Sequence, residues 1–358
     1  MVPDVSRSCP DVNVSVSATA FMTVLHLTKL GIVLILCCAS VLAYPGKPFD
    51  LQKLVAGADI IVVADISRID PAGATTITVD GRAVPADASR ADVHAERHIK
   101  GMCPDQFTLT FFTPKQFLGY PGVAVGRQVI FLTRRDSGYE FADRHFPSLP
   151  TAPGSVSDIE SDPLSVVVAE LGRVISSPVT GEGQKYAVLA RARGIPNTES
   201  FKLSLQAGLD TAESADLRYR IQAELVSRDD LFELRQVIDL LLGNTLTEDQ
   251  RQVFLLVIAN NIKSSESVQI ITPLLRTTDP LSRRAVAEAL WHTASSNAIP
   301  DLVRILQDPD QQVRFYAVRA LSDIANVRGW GGPSESEFQE HQQEYLTHWQ
   351  NWAKTRVP

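Results

Sequence analysis

Two octapeptides near the C-terminal end of the sequence repeat each other at a distance of 31 residues. Residues 283–290 read Arg-Arg-Ala-Val-Ala-Glu-Ala-Leu, and residues 314–321 read Arg-Phe-Tyr-Ala-Val-Arg-Ala-Leu. An Asp-Pro pair precedes each of them, at Asp279–Pro280 and at Asp308–Pro309. A fixed period of this length is typical of solenoids, in which each unit buries its apolar face against its neighbours. The repeat therefore predicts a stack of helical units.

The apolar residues upstream of this repeat also recur at the spacing of helices. Between 163 and 327 they fall at intervals of three and four residues, which is the pattern of helices with one buried face. The first such face comprises Leu164, Val167, Val168, Leu171 and Ile175. Further faces follow in pairs toward residue 327. We therefore predict an α-solenoid of helix pairs over 163–327.

The repeated units resemble HEAT or HEAT-like repeats of the phycobilisome-lyase type. The resemblance rests on the Asp-Pro turn, on the Ala-rich helix that ends in Ala-Leu, and on Ile-Pro-Asp-Leu-Val-Arg-Ile-Leu at 299–306. It implies a surface that binds another protein and no chemistry of its own. Lyase activity is not carried over, because the sequence contains no chromophore-handling motif.

The N-terminal half shows the two-residue alternation of β-strands. Residues 60–63 form a short apolar run, Asp80–Gly81 is a hairpin signal, and residues 93–99 alternate apolar and polar side chains. This half resembles the OB-like or netrin-like barrels attached to many exported bacterial proteins, on the strength of residues 58–65, 98–101 and 126–132. The resemblance implies a small β-barrel over 48–146.

A proline- and serine-rich segment at 147–162 separates the two patterns. Such a segment holds few contacts and is typical of a domain boundary. We therefore predict an α+β two-domain fold with a small N-terminal β-barrel followed by an α-solenoid of HEAT-like helix pairs. The change of period predicts that the two domains fold independently.

A stripe of aromatic residues marks the last helical pattern. Phe338, Tyr345, Trp349 and Trp352 fall on one face of a helix predicted over 335–355. A solenoid leaves its last unit with an open apolar face, so we expect this helix to cap the stack. The alternative is an exposed platform for a ligand.

An apolar run near the N-terminus indicates export. Residues 30–43 are apolar or small and include Val41 and Ala43, which suit a signal-peptide cleavage site. As a helix this run spans about 21 Å, less than the roughly 30 Å of a bilayer core. We interpret residues 1–43 as an upstream extension and signal peptide, and expect an exported, periplasmic or extracellular protein that begins at Tyr44. An uncleaved run would instead anchor the protein in the membrane.

Charge and motifs argue against several classes of function. Lys and Arg number 34 against 41 Asp and Glu, a net charge of −7, so the chain offers no basic field to a phosphate backbone and nucleic acid is not an expected partner. A Gly-rich phosphate loop and a Gly-x-Ser-x-Gly elbow are both absent from the sequence, and no cofactor is expected. Without residues 1–43, Cys103 is the single cysteine, which excludes an intramolecular disulfide.

Three histidines are the candidates for a metal or enzymatic site. His94 and His98 lie four residues apart on a predicted strand, which places them on one face about 13 Å apart. That separation is too long for one zinc ion, so a solvated sheet face is the simpler interpretation and no metal is assigned. His145 follows the last predicted strand and could approach them.

Four arginines of the repeated units are the candidates for partner binding: Arg283, Arg284, Arg314 and Arg319. Acidic residues of the same segment nearly balance the arginines, so a surface of salt bridges is one interpretation. The other is a groove that binds an acidic peptide or a carbohydrate.

Taken as a sequence, the chain favours an exported, non-enzymatic protein that binds another protein along its repeats. One alternative is a metal-binding or hydrolytic enzyme with its site on the N-terminal barrel. The other is an envelope scaffold anchored in the membrane by an uncleaved 30–43 segment.

Overall fold

The computed structural model describes residues 48–79, 81–115, 123–136, 138–154, 162–327 and 329–355. A six-stranded antiparallel sheet is followed by a long helical region, which is the predicted α+β layout of two parts. The predicted signal peptide at 1–43 lies outside the described residues. None of the helices within the described ranges has the length and apolar character that a membrane span requires.

Within the described residues, the first part is a sheet that follows a short helix. Helix α1 spans Leu51–Gly57. Asp50 is its N-cap residue, and the Asp50 carboxylate accepts a hydrogen bond from the Lys53 backbone N–H at 3.0 Å. The strands are β1 (Ile60–Val79), β2 (Arg82–Lys100), β3 (Gln106–Pro114), β4 (Gly126–Arg135), β5 (Gly138–Phe141) and β6 (Ser148–Pro150). Their order in the sheet is β3-β2-β1-β4-β5, and β6 also pairs with β4.

The sheet curls but does not close into the predicted barrel. Its outermost strands meet through rings: Phe107 packs on Tyr139 with centroids 5.2 Å apart, and Phe111 on Phe141 at 5.8 Å. Among the described strands, no backbone ladder joins β3 to β5. Alternation of side chains predicts strands but not whether the two end strands exchange hydrogen bonds, so it cannot separate a barrel from a curled sheet. One face of the sheet holds its own core, which includes Ile60, Val62, Ile66, Val93, Leu109, Ile130 and Leu132.

The second part is a two-layered stack of helices. One layer contains α3 (Glu182–Leu189), α5 (Ala215–Ser227), α7 (Glu248–Asn261), α9 (Pro280–Thr293) and α11 (Gln311–Ala325), and each of these packs against the next. The other layer contains α2 (Pro163–Ser176), α4 (Glu199–Thr211), α6 (Leu231–Gly243), α8 (Ser265–Ile271) and α10 (Ile299–Ile305). Short 3₁₀ turns lie at Ala192–Gly194, Thr272–Arg276 and Ser296–Ala298. This is the predicted solenoid of helix pairs.

One of the two predicted repeat turns lies two residues from its expected place. Asp279 caps α9, where its carboxylate accepts hydrogen bonds from two backbone N–H groups at 3.1 and 2.9 Å and Pro280 stands in the first turn. The cap of α11 is Asp310, which accepts two equivalent bonds at 3.0 and 3.2 Å. Asp310 follows Asp279 by 31 residues, so the period holds, while Asp308–Pro309 precedes the helix instead of starting it.

The two parts share a hydrophobic core on the second face of the sheet. The sheet contributes Ile61, Val63, Val129, Phe131 and Leu149, and the helices contribute Val168, Leu171, Val174, Phe201 and Leu205. Burial of one such side chain is worth about 1.5–3 kcal/mol. The shared core argues against the predicted independent folding of the two domains, because separation would expose both apolar surfaces to water.

The sheet also extends into the segment predicted as a linker. Strand β6 pairs with β4, and Thr151 and Ala152 directly after it are buried. Residues 155–161 of that segment lie outside the described ranges. The described start of the solenoid is Asp162, which caps α2.

Helix α12, Glu335–Lys354, packs against α11 at the end of the stack. Ser334 and Glu337 form a capping box at its start. Phe338 and Trp349 are fully buried in the solenoid core, and Tyr345 and Trp352 pack on it partly exposed. The aromatic stripe thus lies in the position expected of a cap.

Candidate functional site

Two adjoining cavities run along the helix layer that contains α3, α5 and α7. Their volumes are about 950 Å³ and about 550 Å³. The residues common to both are Arg193, Glu224, Ser227 and Asn261. We call the combined depression the α3–α7 groove.

The N-terminal segment forms one wall of the groove. Pro48, Phe49 and Asp50 line the larger cavity. Gly194 permits this approach, because a Cβ atom at this position would overlap the carbonyl oxygen of Phe49. Phe49 also packs edge to face on Phe146 of the β5–β6 connection, with centroids 4.8 Å apart. The groove therefore lies where the sheet meets the solenoid.

A buried arginine fixes the floor of the groove. Arg228 donates hydrogen bonds from its guanidinium to the carbonyl oxygens of Ala192 at 2.7 Å and Pro196 at 3.1 Å. Its Nε lies 2.7 Å from Oε1 of Glu224, one turn earlier on α5. Burial raises the pKa of Glu224, while Arg228 acts in the opposite direction. These bonds tie the 3₁₀ turn to α5.

Two further carboxylates of the groove also have partners. Asp216 accepts hydrogen bonds from the Tyr186 hydroxyl at 2.6 Å and from Nε of Arg220 at 2.9 Å. The Arg220 guanidinium in turn lies 5.6 Å from the centroid of the Tyr186 ring. Asp50 caps α1 and lies 3.0 Å from the Lys53 ammonium group. The acidic groups of the groove are thus compensated within the chain.

Helix α7 supplies apolar and amide groups to the groove. The Leu256 side chain lines the larger cavity and is 59% exposed. Asn260 and Asn261 donate their amide N–H groups to the carbonyl oxygens of the preceding turn at 2.9 and 3.1 Å. Their amide oxygens remain available as acceptors. The groove therefore combines one exposed aliphatic side chain with hydrogen-bonding groups.

Arg193 differs from the other charged residues of the groove. It is exposed on the 3₁₀ turn and lines both cavities. Within the described part of the chain its guanidinium makes no hydrogen bond and no ion pair. Through space its charge opposes the rise in the pKa of Glu224 that burial causes.

The four arginines predicted for partner binding contact residues of their own solenoid. Arg283 is buried and forms a bidentate pair with Asp308 at 2.8 and 3.1 Å. Arg284 pairs with Asp310 at 2.9 and 2.6 Å. Of the remaining two, Arg314 donates to the Pro309 carbonyl and to Gln342, and Arg319 lies over the Trp291 ring at 4.4 Å and donates to the Pro333 carbonyl. Their contacts connect successive units of the stack.

A β-bulge separates the two histidines that were expected on one face. Val63 pairs with Arg97 but Ala64 pairs with Ala95, so Glu96 is an extra residue in β2. The bulge changes the parity of the strand, which places His98 opposite Val62 and His94 opposite Asp65, on different faces of the sheet. The expectation that both lie on one face is therefore wrong.

His98 lies instead beside Cys103, a contact that the sequence analysis missed. Its Nε2 is 3.3 Å from the Cys103 Sγ and from the Cys103 backbone nitrogen. Burial raises the pKa of the Cys103 thiol. His145 follows β5, on the β5–β6 connection. Over the described ranges, no three His, Cys, Asp or Glu side chains come together as a metal-binding group.

The residues of the α3–α7 groove were not singled out from the sequence. The sequence does contain a signal for Leu256. The six apolar residues at 254–259 are more than one buried helix face can hold, and Leu256 is the one that is exposed. Arg193 and the two asparagines carry no such signal, since single polar residues in turns and at helix ends are common on any surface.

A family model for HEAT repeats matches residues 234–322, which extend from α6 into α11. Neither a search of curated proteins nor a search of solved structures found a match. The matched segment contains both octapeptides of the 31-residue repeat and helix α10 between them. The helical part of this chain is a HEAT-like α-solenoid, with HEAT repeats at residues 234–322.

Proposed function

We propose that the protein is an exported, non-enzymatic binding protein that holds an extended segment of a partner protein in the α3–α7 groove. The observation that carries the proposal is the position of the groove on the regular helix layer of a HEAT-like solenoid, with Leu256 exposed inside it. HEAT repeats generally mediate protein interaction or scaffolding, because stacked units present an extended surface.

The chemistry of the groove supports binding of a peptide. An extended peptide has unpaired backbone N–H groups, which can donate hydrogen bonds to the amide oxygens of Asn260 and Asn261. An aliphatic side chain of the partner would cover Leu256 and remove apolar area from water. The pairing of Glu224 and Asp216 with arginines gives these carboxylates structural partners, which favours binding over catalysis.

Export is supported by the apolar run at 30–43 and by the small residues Val41 and Ala43. A mature chain that begins at Tyr44 would keep Pro48 and Phe49, which form the wall of the groove. The proposed maturation is therefore compatible with an intact groove.

The proposal is tested by site-specific photocrosslinking of the full chain, expressed with its N-terminal segment in the source organism. A photoreactive phenylalanine analogue replaces Leu256 in one variant and Leu281 in the control. Leu281 is a similarly exposed leucine on α9, at 44%, outside the lining of the groove. We expect a covalent adduct with a partner polypeptide at 256 and little at 281.

Equal adducts at both positions, or none at 256, would contradict the groove as the binding site. The same preparation tests export, since the intact mass of protein recovered from the envelope or the medium should correspond to a chain that starts at Tyr44. A species that retains the apolar run at 30–43 would exclude cleavage and favour the anchored scaffold.

A further inference from the structure

We infer that the α3–α7 groove selects extended peptide segments that carry a side-chain carboxylate, and that Arg193 is the residue that binds this carboxylate. The inference rests on the proposed function, which supplies the peptide as occupant. It adds the chemical feature of the peptide and the residue that recognises it.

The first argument is the balance of charge inside the groove. Glu224 is paired with Arg228, Asp216 with Arg220, and Asp50 with Lys53. Arg193 is the cation left over among the described lining residues, because its guanidinium makes no ion pair there. The lining itself holds as many carboxylates as arginines, but Lys53 pairs with Asp50 from outside the lining, so the charge of Arg193 is available to one negative charge on the occupant.

The second argument is the position of Arg193. It lines both cavities and is exposed at their junction, so an extended chain that fills the groove would pass its guanidinium. The five N–H groups of a guanidinium form a fork that matches the two oxygens of a carboxylate. The turn that carries Arg193 is held by Arg228 through the carbonyl oxygens of Ala192 and Pro196, which keeps its backbone in place.

The third argument separates a peptide from a polyanion. The chain has a net charge of −7, and Glu224 and Asp216 line the same cavity as Arg193. A run of phosphates or sulfates would meet these acidic groups as well as one arginine. A peptide with a single carboxylate between neutral residues brings one negative charge to Arg193 and none to the rest of the groove, while Asn260 and Asn261 bind its backbone.

The test uses the full chain as recovered after export and two arrays of immobilised nine-residue peptides. Each peptide contains leucine at fixed positions and varied uncharged residues at the others. The two arrays are identical except for the central residue, which is Glu in one and Gln in the other. We expect the Glu array to retain the protein about tenfold more strongly, as a charge-assisted hydrogen bond would produce. Arg193→Gln should abolish the preference, and Arg193→Lys should restore part of it.

The matched control is Arg235→Gln, which removes an exposed arginine of α6 outside the groove and should leave the preference unchanged. Equal retention on both arrays, lost in a Leu256→Glu variant, would overturn the carboxylate inference and leave the groove itself intact. Absence of retention on both arrays would overturn the peptide groove and the inference together. Displacement of bound peptide by polygalacturonate alone, with no Glu preference, would assign the site to an acidic polysaccharide and overturn the inference.

Discussion

Two arginines that are neighbours in the chain have different surroundings in the solenoid. Arg283 is 10% exposed at its side chain and binds Asp308 and two carbonyl oxygens of the preceding turn. Arg284 is 44% exposed and binds the cap residue Asp310. The sequence predicts them as equivalent candidates, since charge alone does not tell which of two consecutive helix positions faces the adjacent unit.

We expect Arg283→Ala to lower the free energy of unfolding by about 3–5 kcal/mol, because it leaves the buried Asp308 carboxylate without its cation. Arg284→Ala should cost about 1 kcal/mol or less, since solvent screens an exposed pair. Urea denaturation of both variants measures the difference. Similar losses in the two variants would mean that the Arg283–Asp308 pair is not a structural clamp.

At the scale of elements, the helices and strands were predicted better than their junctions. The 31-residue period located α9 and α11, and the aromatic stripe located α12. The sequence did not predict that the sheet stays open or that β2 has a bulge at Glu96. Both features depend on backbone pairing between strands. The groove was missed because its lining comes from segments that are distant in sequence, namely residues 48–52, the 3₁₀ turn and helices α3, α5 and α7.

Helix α12 also carries a histidine whose protonation makes the stability of the cap depend on pH. His348 stacks on Trp330 with centroids 3.9 Å apart and planes 6° apart, and burial lowers its pKa below the usual 6.5. The unfolded chain then binds a proton more readily than the folded chain. The contribution of neutral His348 to the free energy of unfolding is therefore fully present above the pKa of the unfolded chain. It is lost as the pH falls through the lower pKa of the folded chain.

We expect the melting temperature to fall between about pH 7 and pH 5, and His348→Gln to reduce this slope. The control is His341→Gln, which changes an exposed histidine on the same helix, 52% exposed at its side chain. Differential scanning fluorimetry across the pH range measures all three proteins. An identical slope in wild type and His348→Gln would contradict the assignment.

At the scale of the whole molecule, one carboxylate connects the sheet to the solenoid. Glu170 of α2 is fully buried and forms ion pairs with Arg97 of β2 and with Arg173, which lies 3.2 Å away. The Thr151 hydroxyl donates to it at 2.9 Å. The sequence contains part of the information on this junction, because the continuous apolar run at 60–63 is typical of a strand buried on both faces. It does not predict what covers the second face, because nothing in residues 60–63 specifies the helices that pack there.

We expect the wild type to unfold in one calorimetric transition, since the shared core and the Glu170 pairs make the two parts one cooperative unit. Glu170→Ala should lower the free energy of unfolding by about 1–3 kcal/mol, because it removes the charge-assisted hydrogen bonds that two partly buried arginines donate to this carboxylate. Glu266→Ala, on the exposed side of α8, is the control. Two well-separated transitions in the wild type would restore the independent domains that the linker predicts.

The shared core also determines the order in which the molecule can be assembled during synthesis. Ile61, Val63 and Phe131 emerge early, but Val168 and Leu171 of the same core are made later, more than 100 residues after the two residues of β1. The nascent sheet therefore presents an apolar face that α1 covers in part and α2 does not yet cover, and its contacts close long loops, which slows folding. A chain interrupted before residue 163 would carry that face permanently and would depend on chaperones to stay in solution.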